Sequence, residues 1–178
     1  MSNDGFNQMI DDSTAFFSEL AQNNSKDWIN PRKDHYNSRI KKPAELFAEL
    51  LAEDFSAMSG IAHKPKVFRI YRDVRFSKDK TPLNTHLHIM WNAGESRFSP
   101  AFFFASEVDG LHIGCGIMGL KGDDLARYRA FVDNWGDGFL DAVKATGMTP
   151  SDWGEAPLKR VPSPYDQDHP HAELLKQN

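Results

Sequence analysis

The sequence predicts an α+β fold in which an antiparallel meander sheet of about four or more strands is flanked by helices. Two observations lead to this prediction. Apolar residues recur at helical spacing up to Phe55 and again from Asp123, whereas between these regions they recur at every second position. The chain also has 178 residues, of which 40% are hydrophobic, so it can bury a sizeable core.

The first part of the chain is predicted to be helical. Residues 1–12 are polar and are expected to form a flexible N-terminus. Ser13 can then cap a short helix that carries Phe16, Phe17 and Leu20 on one face.

A longer helical region is predicted after the break at "AQNNSKDW". Asn30 is a suitable N-cap and Pro31 suits the first helical position. Pro43 lies inside the continuing pattern. Because proline removes a backbone donor, Pro43 either kinks one long helix or begins another.

The first predicted strand starts at Lys66 and places Phe68, Ile70, Val74 and Phe76 on one face. "THLHIMW" alternates in the same way and is predicted as the second strand, with "SKDKTPLN" as the connection. Two strands that follow each other in this way are expected to pair.

Two further strands and the C-terminal helices complete the prediction. "AFFFA" suits a strand covered on both faces, and Asp109 and Gly110 signal a hairpin into "LHIGCGI". A helix is predicted from Asp123, and another short one after Gly136. The first of these carries the apolar residues Leu125, Tyr128, Phe131, Val132 and Trp135. Since no linker or repeat interrupts the pattern, we expect a single domain over residues 1–178.

Composition excludes several classes of protein. Cys115 is the only cysteine, so no intrachain disulfide can form. No apolar run approaches the roughly 18 residues that cross a bilayer, and a cytoplasmic protein is therefore expected. The formal net charge of −4 argues against a broad nucleic-acid-binding surface.

Positive charge is concentrated in residues 69–86, "RIYRDVRFSKDKTPLNTH", here called the basic segment. If the strand alternation holds, Arg72 lies on the apolar face, where a guanidinium needs a partner. Asp73 would point the other way, so a remote partner such as Glu107, a helix carboxylate or a bound anion is expected. Alternatively, the strand bends or ends at Arg72, and the guanidinium group of Arg72 reaches water.

The residue types of the basic segment suit an anion site. Arginine binds phosphate or carboxylate through two parallel hydrogen bonds, lysine adds charge, and serine and threonine hydroxyls complete the contacts. The alternative is a solvated charged hairpin in which acidic and basic side chains screen one another.

His86 and His88 share one face of the second predicted strand, and His112 could lie nearby, a spacing compatible with zinc. No supporting carboxylate is identifiable in the sequence, and the local cations would repel a metal ion, so hydrogen-bonded histidines are favoured and no metal site is predicted. No cofactor fingerprint is present, and Cys115 shares strand parity with Leu111 and Ile113, which predicts a buried, inert thiol.

Four stretches stand out as motifs: "FFSELAQNNSKDWINPRKDHY", "KVFRIYRDVRFSKDKTPLNTH", "LARYR" and "LKRVPSPYDQDHPHAELLK". They resemble the bacterial and fungal proteins grouped as domain of unknown function (DUF) 2461, and the resemblance covers nearly the whole chain. The resemblance implies a fold more than a function. His88 stands where the family is expected to carry a small residue, which argues further against a metal, and Pro164 stands where a glycine is expected.

The leading hypothesis is an anion site for a phosphorylated small molecule or nucleotide, in which Asp73 orients the arginines. Its residues would be Arg69, Arg72, Asp73, Arg75, Lys78, Lys80, Thr81, Thr85 and His86. If the site is catalytic, His86 or Asp73 would transfer protons; the sequence does not decide whether the protein is an enzyme. Two alternatives stay open: an interaction module whose Arg/Asp cluster is an internal salt-bridge network, and a local contact to nucleic-acid phosphates.

Overall fold

A computed structural model describes residues 4–95, 99–117, 119–147 and 158–177. The chain divides into two compact units, Met1–Gly116 and Ile117–Asn178. The first contains a four-stranded antiparallel sheet with helices, which confirms the predicted α+β class. The single domain predicted over residues 1–178 stays a prediction.

Helix α1, Asp4–Gln22, begins well before the predicted cap. Met9 is 1% exposed and Ser13 is 0% exposed, so Ser13 lies on the buried face inside the helix and does not cap it. The structure therefore extends the helix into the segment for which the sequence predicted a flexible terminus. The physical reason is that Met9 continues the apolar face formed by Phe16 and Leu20.

The next helical region is nearly continuous and changes its winding. It consists of α2 Lys26–Ile29, a 3₁₀ turn Asn30–Arg32, α3 Lys33–His35, a π-helical turn Tyr36–Lys41 and α4 Lys42–Ser59. The N-cap is Ser25, whose hydroxyl accepts from the Trp28 N–H, and the predicted cap at Asn30 is wrong. Pro43 lies in the first turn of α4, directly after the π turn, so it stands where the winding of the continuous helical region changes.

The sheet has the strand order β1-β2-β3-β4, and neighbouring strands are antiparallel. The strands are β1 His63–Val67, β2 Leu87–Ala93, β3 Ala101–Glu107 and β4 Gly110–Gly116. Glu107 pairs with Gly110 across a two-residue turn, which confirms the hairpin predicted at Asp109 and Gly110.

The first strand is displaced from its predicted position. It ends at Val67, and the basic segment contains no strand, only an isolated bridge between Tyr71 and Leu83. The backbone folds back on itself instead, with the Arg72 N–H donating to the Pro82 carbonyl and the Asn84 N–H to the Ile70 carbonyl. The alternation of apolar residues in this segment therefore does not mark a sheet.

One face of β2 and β3 forms the core of the first unit. Leu87, Ile89 and Trp91 of β2 are at most 1% exposed, as their alternation predicts, and Phe104 of β3 joins them. The Trp91 indole N–H donates to the carbonyl of Ala48 in α4 at 2.7 Å, so the sheet is joined to α4 by a hydrogen bond as well as by apolar contact.

Strand β4 is at the end of the strand order, and its side chains are largely exposed. Ile113 is 73% exposed, and Cys115 is exposed as well. The predicted burial of Cys115 is wrong, because strand parity buries a face only where another element covers it.

In the second unit, α5 spans Gly122–Ala145 and α6 spans Ala172–Leu175. The sequence predicts a helix from Asp123 and a short one after Gly136, and α5 is accordingly divided into two helical stretches by a kink at Trp135, whose backbone is non-helical. The kink leaves Trp135 68% exposed, although the pattern places it on the apolar face. A small core forms around Val132, Val161, Leu174 and Leu175.

Among the described residues, no helix combines the length and apolar character needed to cross a membrane.

The buried contact between Ser13 and Ser106 predicts that alanine substitutions at the two positions differ in their effect on stability. The two hydroxyl oxygens are 2.8 Å apart, and the Ser13 hydroxyl also donates to the Ile10 carbonyl. Because Ser13 has one proton to give, Ser106 must donate to Ser13. We expect Ser13→Ala, which strands the Ser106 hydroxyl, to lower the free energy of unfolding by about 1–3 kcal/mol, and Ser106→Ala to lower it less.

Urea denaturation of both variants and of the double variant measures this difference. The double variant should be no less stable than Ser13→Ala, because it leaves no unpaired hydroxyl. A larger loss in Ser106→Ala than in Ser13→Ala would show that the donor assignment is wrong.

The lack of a side chain at Gly136 is predicted to stabilise the second unit. A Cβ atom at this position would lie closer than 3.0 Å to ring atoms of His171, which is buried. We expect Gly136→Ala to destabilise the protein by about 1–3 kcal/mol. The matched control is Gly138→Ala in the same helix, where a Cβ meets nothing within 4 Å. In urea denaturation, the free energy of unfolding of the control should be about 0.5–1 kcal/mol higher than that of the wild type. Equal effects of the two variants would contradict the close approach of His171.

Candidate functional site

The basic segment joins β1 to β2, and its charges are brought together by a compact backbone. It carries five Arg or Lys residues and two Asp residues, which leaves three positive charges in excess in a chain whose formal net charge is −4. The positions of these charges decide which of the predicted site residues are available to a ligand.

Arg72 is neutralised from within the basic segment. Its Nη1 donates to Asp79 Oδ2 at 2.5 Å, to the Thr81 carbonyl at 3.2 Å and to the Thr81 hydroxyl. The predicted remote carboxylates, Glu107 or one of a helix, are not its partner, because the strand does not continue to Arg72 and the chain returns so that Asp79 reaches it. The side chain is 27% exposed, so it lies neither in the core nor fully in water.

Asp73 and Arg75 form a second pair, in which two parallel hydrogen bonds join the carboxylate to the guanidinium. Arg75 Nε lies 2.9 Å from Asp73 Oδ1, and Nη2 lies 2.7 Å from Oδ2. These hydrogen bonds from Arg75 lower the pKa of Asp73 below its ordinary value. Asp73 therefore orients one arginine of the predicted site, Arg75.

Asp79 is the acceptor that organises the second half of the basic segment. Its carboxylate accepts from the backbone N–H of Thr81 at 2.9 Å, from the Thr81 hydroxyl at 2.8 Å and from Arg72. These bonds, with the Thr81 backbone contributing most, lower the pKa of Asp79 from 3.8 to about 2. The sequence analysis did not include Asp79 in the site, although an Asp that bonds the backbone two residues later is a known turn signal.

The remaining cations of the basic segment differ in their availability. Lys80 Nζ donates to the Val74 carbonyl at 2.9 Å and helps to close the loop. Within the described part of the chain, the side chains of Arg69, Lys78 and Thr85 make no hydrogen bond or ion pair, and Arg69 acts on Asp73 only through space. Arg69 and Lys78 are thus the cations of the basic segment that no carboxylate or carbonyl of the described residues engages.

His86 ends the basic segment and stacks on His88, with ring centroids 3.6 Å apart and planes 12° from parallel. Burial lowers the pKa of His86, and the neighbouring His88 lowers it further. The charge of Arg72 lowers this pKa as well, whereas the carboxylate of Glu107 raises it. His86 therefore connects the end of the basic segment to His88 of β2.

Glu107, which the sequence analysis named only as a partner for Arg72, contacts a histidine instead. Its Oε1 lies 2.7 Å from His88 Nε2. Ligand atoms of His86, His88 and Glu107 all lie within 4.8 Å of one another, a spacing that can hold a metal ion. No sequence signal could place Glu107 here, because its position depends on the register between β2 and β3.

A surface depression lies elsewhere, along the π-helical turn, and contains none of the predicted site residues. It is lined by Asp34, Asn37, Ser38, Lys41, Lys42 and Glu45.

The comparison with protein families agrees with the motifs of the sequence. The family model described as "Conserved hypothetical protein (DUF2461)" matches residues 12–178. The chain belongs to the DUF2461 family. No curated protein and no solved structure matches the chain. The description of this family names no activity. The chemistry of the chain is therefore argued from the residues of the basic segment and from the histidines beside it.

The acid dependence of Asp79 tests the geometry of the basic segment. Because the pKa of Asp79 is depressed, its ionised carboxylate adds to the free energy of unfolding. This contribution is complete above the ordinary pKa of 3.8 and is lost as the pH falls through about 2. We expect an NMR titration of the carboxyl carbon to give a midpoint near 2. In Arg72→Ala the midpoint should rise but stay below 3.8, because the Thr81 backbone bond remains.

Arg75→Ala is the matched control, because Arg75 bonds Asp73 and not Asp79. It should leave the Asp79 midpoint unchanged. A shift in Arg75→Ala as large as that in Arg72→Ala would contradict the pairing.

Proposed function

We propose that the protein binds a small anionic ligand at the basic segment, and that the anionic group is a phosphate of a small molecule or nucleotide. The observation that supports this proposal is the surplus of three positive charges in the segment, of which Arg69 and Lys78 have no partner among the described residues. A local surplus in a chain of negative net charge attracts anions at one place rather than over a broad surface.

The paired cations have a supporting role in this proposal. Asp79 and Asp73 hold Arg72 and Arg75 in one orientation, which removes part of the entropy cost of ordering these side chains when a ligand binds. Arg72 donates only through Nη1 in the hydrogen bonds described above, so its other guanidinium donors can serve an anion. Lys80 is bound to backbone carbonyls and closes the loop.

The neighbouring polar residues would complete the contacts. Thr85 has no hydrogen-bond partner within the described part of the chain, and His86 follows it at the end of the basic segment. Thr81 is already engaged with Asp79 and Arg72, so its hydroxyl maintains the loop. Were a proton transferred at this site, His86 would be better suited than Asp73, whose carboxylate is engaged by Arg75 and is a weak base.

The second candidate is an internal salt-bridge network with no ligand at the basic segment. The pairing of Arg72 with Asp79 and of Arg75 with Asp73 favours it, because these bonds shape the connection between β1 and β2 without any ligand. Under this alternative, function would belong to another surface. Exposed ion pairs contribute little to the free energy of unfolding. A network without a ligand would therefore stabilise the fold only weakly.

Ligand binding separates the two candidates. We expect inorganic phosphate and nucleoside triphosphates to shift amide NMR signals of the basic segment in the wild type. The double variant Arg69→Ala/Lys78→Ala should lose about tenfold or more in affinity, which corresponds to about 1.4 kcal/mol, with an unchanged melting temperature. The matched control, Lys26→Ala/Lys33→Ala, removes two exposed cations from α2 and α3 and should retain affinity.

Binding of none of these anions would contradict the proposal and favour the internal network. An equal loss of affinity in both double variants would show unspecific attraction by net charge. Affinity for nucleic acid that falls steeply with salt, and exceeds that for nucleotides, would instead identify the basic segment as a nucleic-acid contact.

A further inference from the structure

The face of the sheet opposite the core carries two imidazoles and a carboxylate. Leu87 and Ile89 of β2 point into the core, so the period of two places His88 on the other face, where His86, which directly precedes the strand, stacks on it. His88 is paired with Ala105 of β3, and Glu107 lies two residues further along the same strand, on the same face. The pairing of β2 with β3 therefore assembles three side chains from separate parts of the sequence.

The three side chains are close to the spacing of a metal site. Their ligand atoms lie within 4.8 Å of one another, and the His88–Glu107 distance is 2.7 Å. Two ligands of a tetrahedral zinc ion with bonds of about 2.0–2.1 Å lie about 3.3 Å apart. The His88 and Glu107 side chains would thus have to separate by only about 0.6 Å.

The burial of the cluster also suits a metal ion. The side chains of His88 and Glu107 are 18% and 33% exposed, so both are partly desolvated yet reachable from solvent. A carboxylate and two imidazoles are a common ligand set for a divalent first-row transition metal, and three protein ligands leave coordination positions for water or a bound molecule.

The charge of the neighbouring basic segment does not prevent a cation from binding. Arg72, the arginine that acts on His86, is paired with Asp79, and Arg75 is paired with Asp73. These two guanidinium charges are therefore largely compensated, whereas Arg69 and Lys78 have no such partner among the described residues. The compensation of Arg72 and Arg75 weakens the objection from local charge that the sequence alone raised.

We propose that His86, His88 and Glu107 form a binding site for a divalent first-row transition metal ion such as zinc. The inference shares His86 with the anion proposal but does not depend on it, since it uses neither Arg69 nor Lys78, and the variants that test the anion site leave all three ligands in place. In the metal-free chain, Glu107 accepts a hydrogen bond from His88 Nε2, as an ionised carboxylate can only accept. If the metal binds through Nε2, the proton there must move to Nδ1 or leave.

A second group of Glu107, Asp109 and His112 shares the same carboxylate. Asp109 and His112 are exposed, with side chains 76% and 54% accessible, and their contact of 3.4 Å is long. The more enclosed His86 group is therefore the better site, and His112 supplies a matched control for the loss of one imidazole near Glu107.

Zinc and cobalt titrations of the chelator-treated full chain test the proposal. We expect one zinc ion per chain by competition with a chromogenic chelator, and visible cobalt absorption typical of a nitrogen- and oxygen-bound ion. His86→Ala, His88→Ala and Glu107→Gln should each weaken zinc binding by about tenfold or more, whereas His112→Ala should change it by less than about twofold. Glu107→Gln preserves shape, and circular dichroism of every variant verifies folding.

Several results would overturn the inference. One is wild-type zinc binding that is absent or as weak as in all three variants. Another is a loss in His112→Ala equal to that in His88→Ala, which would move the metal to the other group. A third is an intense thiolate-to-cobalt band that disappears in Cys115→Ser, because the exposed Cys115 would then be the ligand.

Discussion

The burial of one face of β2 and β3 against the helices is the constraint on which the rest of the first unit depends. Trp91 contacts α4 through both its ring and its indole N–H, and Ser106 of β3 contacts Ser13 of α1, so the sheet is held to two helices by polar as well as apolar contacts. Once this face is buried, the alternation of a strand dictates that His88 and Glu107 share the opposite face. The placement of His88 and Glu107 as candidate metal ligands therefore follows from how the core is packed.

The basic segment is shaped by its own charges rather than by the sheet. Two local ion pairs and the bonds from Thr81 and Lys80 fold it into a compact connection that returns to His86 at the start of β2. The pairing has opposite consequences for the two proposed ligands. It leaves fewer free cations for an anion, and it reduces the repulsion that a metal ion would meet at the neighbouring histidines.

The sequence predicted β2, the β3–β4 hairpin and the apolar face of α1 at Phe16, Phe17 and Leu20 correctly, because each depends on the period of apolar residues within a few turns or pleats. It misplaced β1 because the basic segment has the alternation of a strand, while the backbone there bonds to itself across Tyr71 and Leu83. It also buried Cys115, because alternation does not reveal that β4 is the last strand in the order and largely exposed. Of the predicted site, the structure joins Arg72 and Thr81 to Asp79 and pairs Asp73 with Arg75. Asp79 and Glu107 were not among the predicted members.

By itself, the sequence determined the family, the α+β class and the presence of a charged connection ahead of an alternating strand, since all of these are written in contiguous residues. Only the tertiary structure decided which carboxylate neutralises Arg72 and which one reaches His88. The first choice depends on how the backbone turns between Arg72 and Thr81, and the second on the register between two strands. Neither is encoded in a local period, because the interacting atoms are brought together by contacts made elsewhere in the chain.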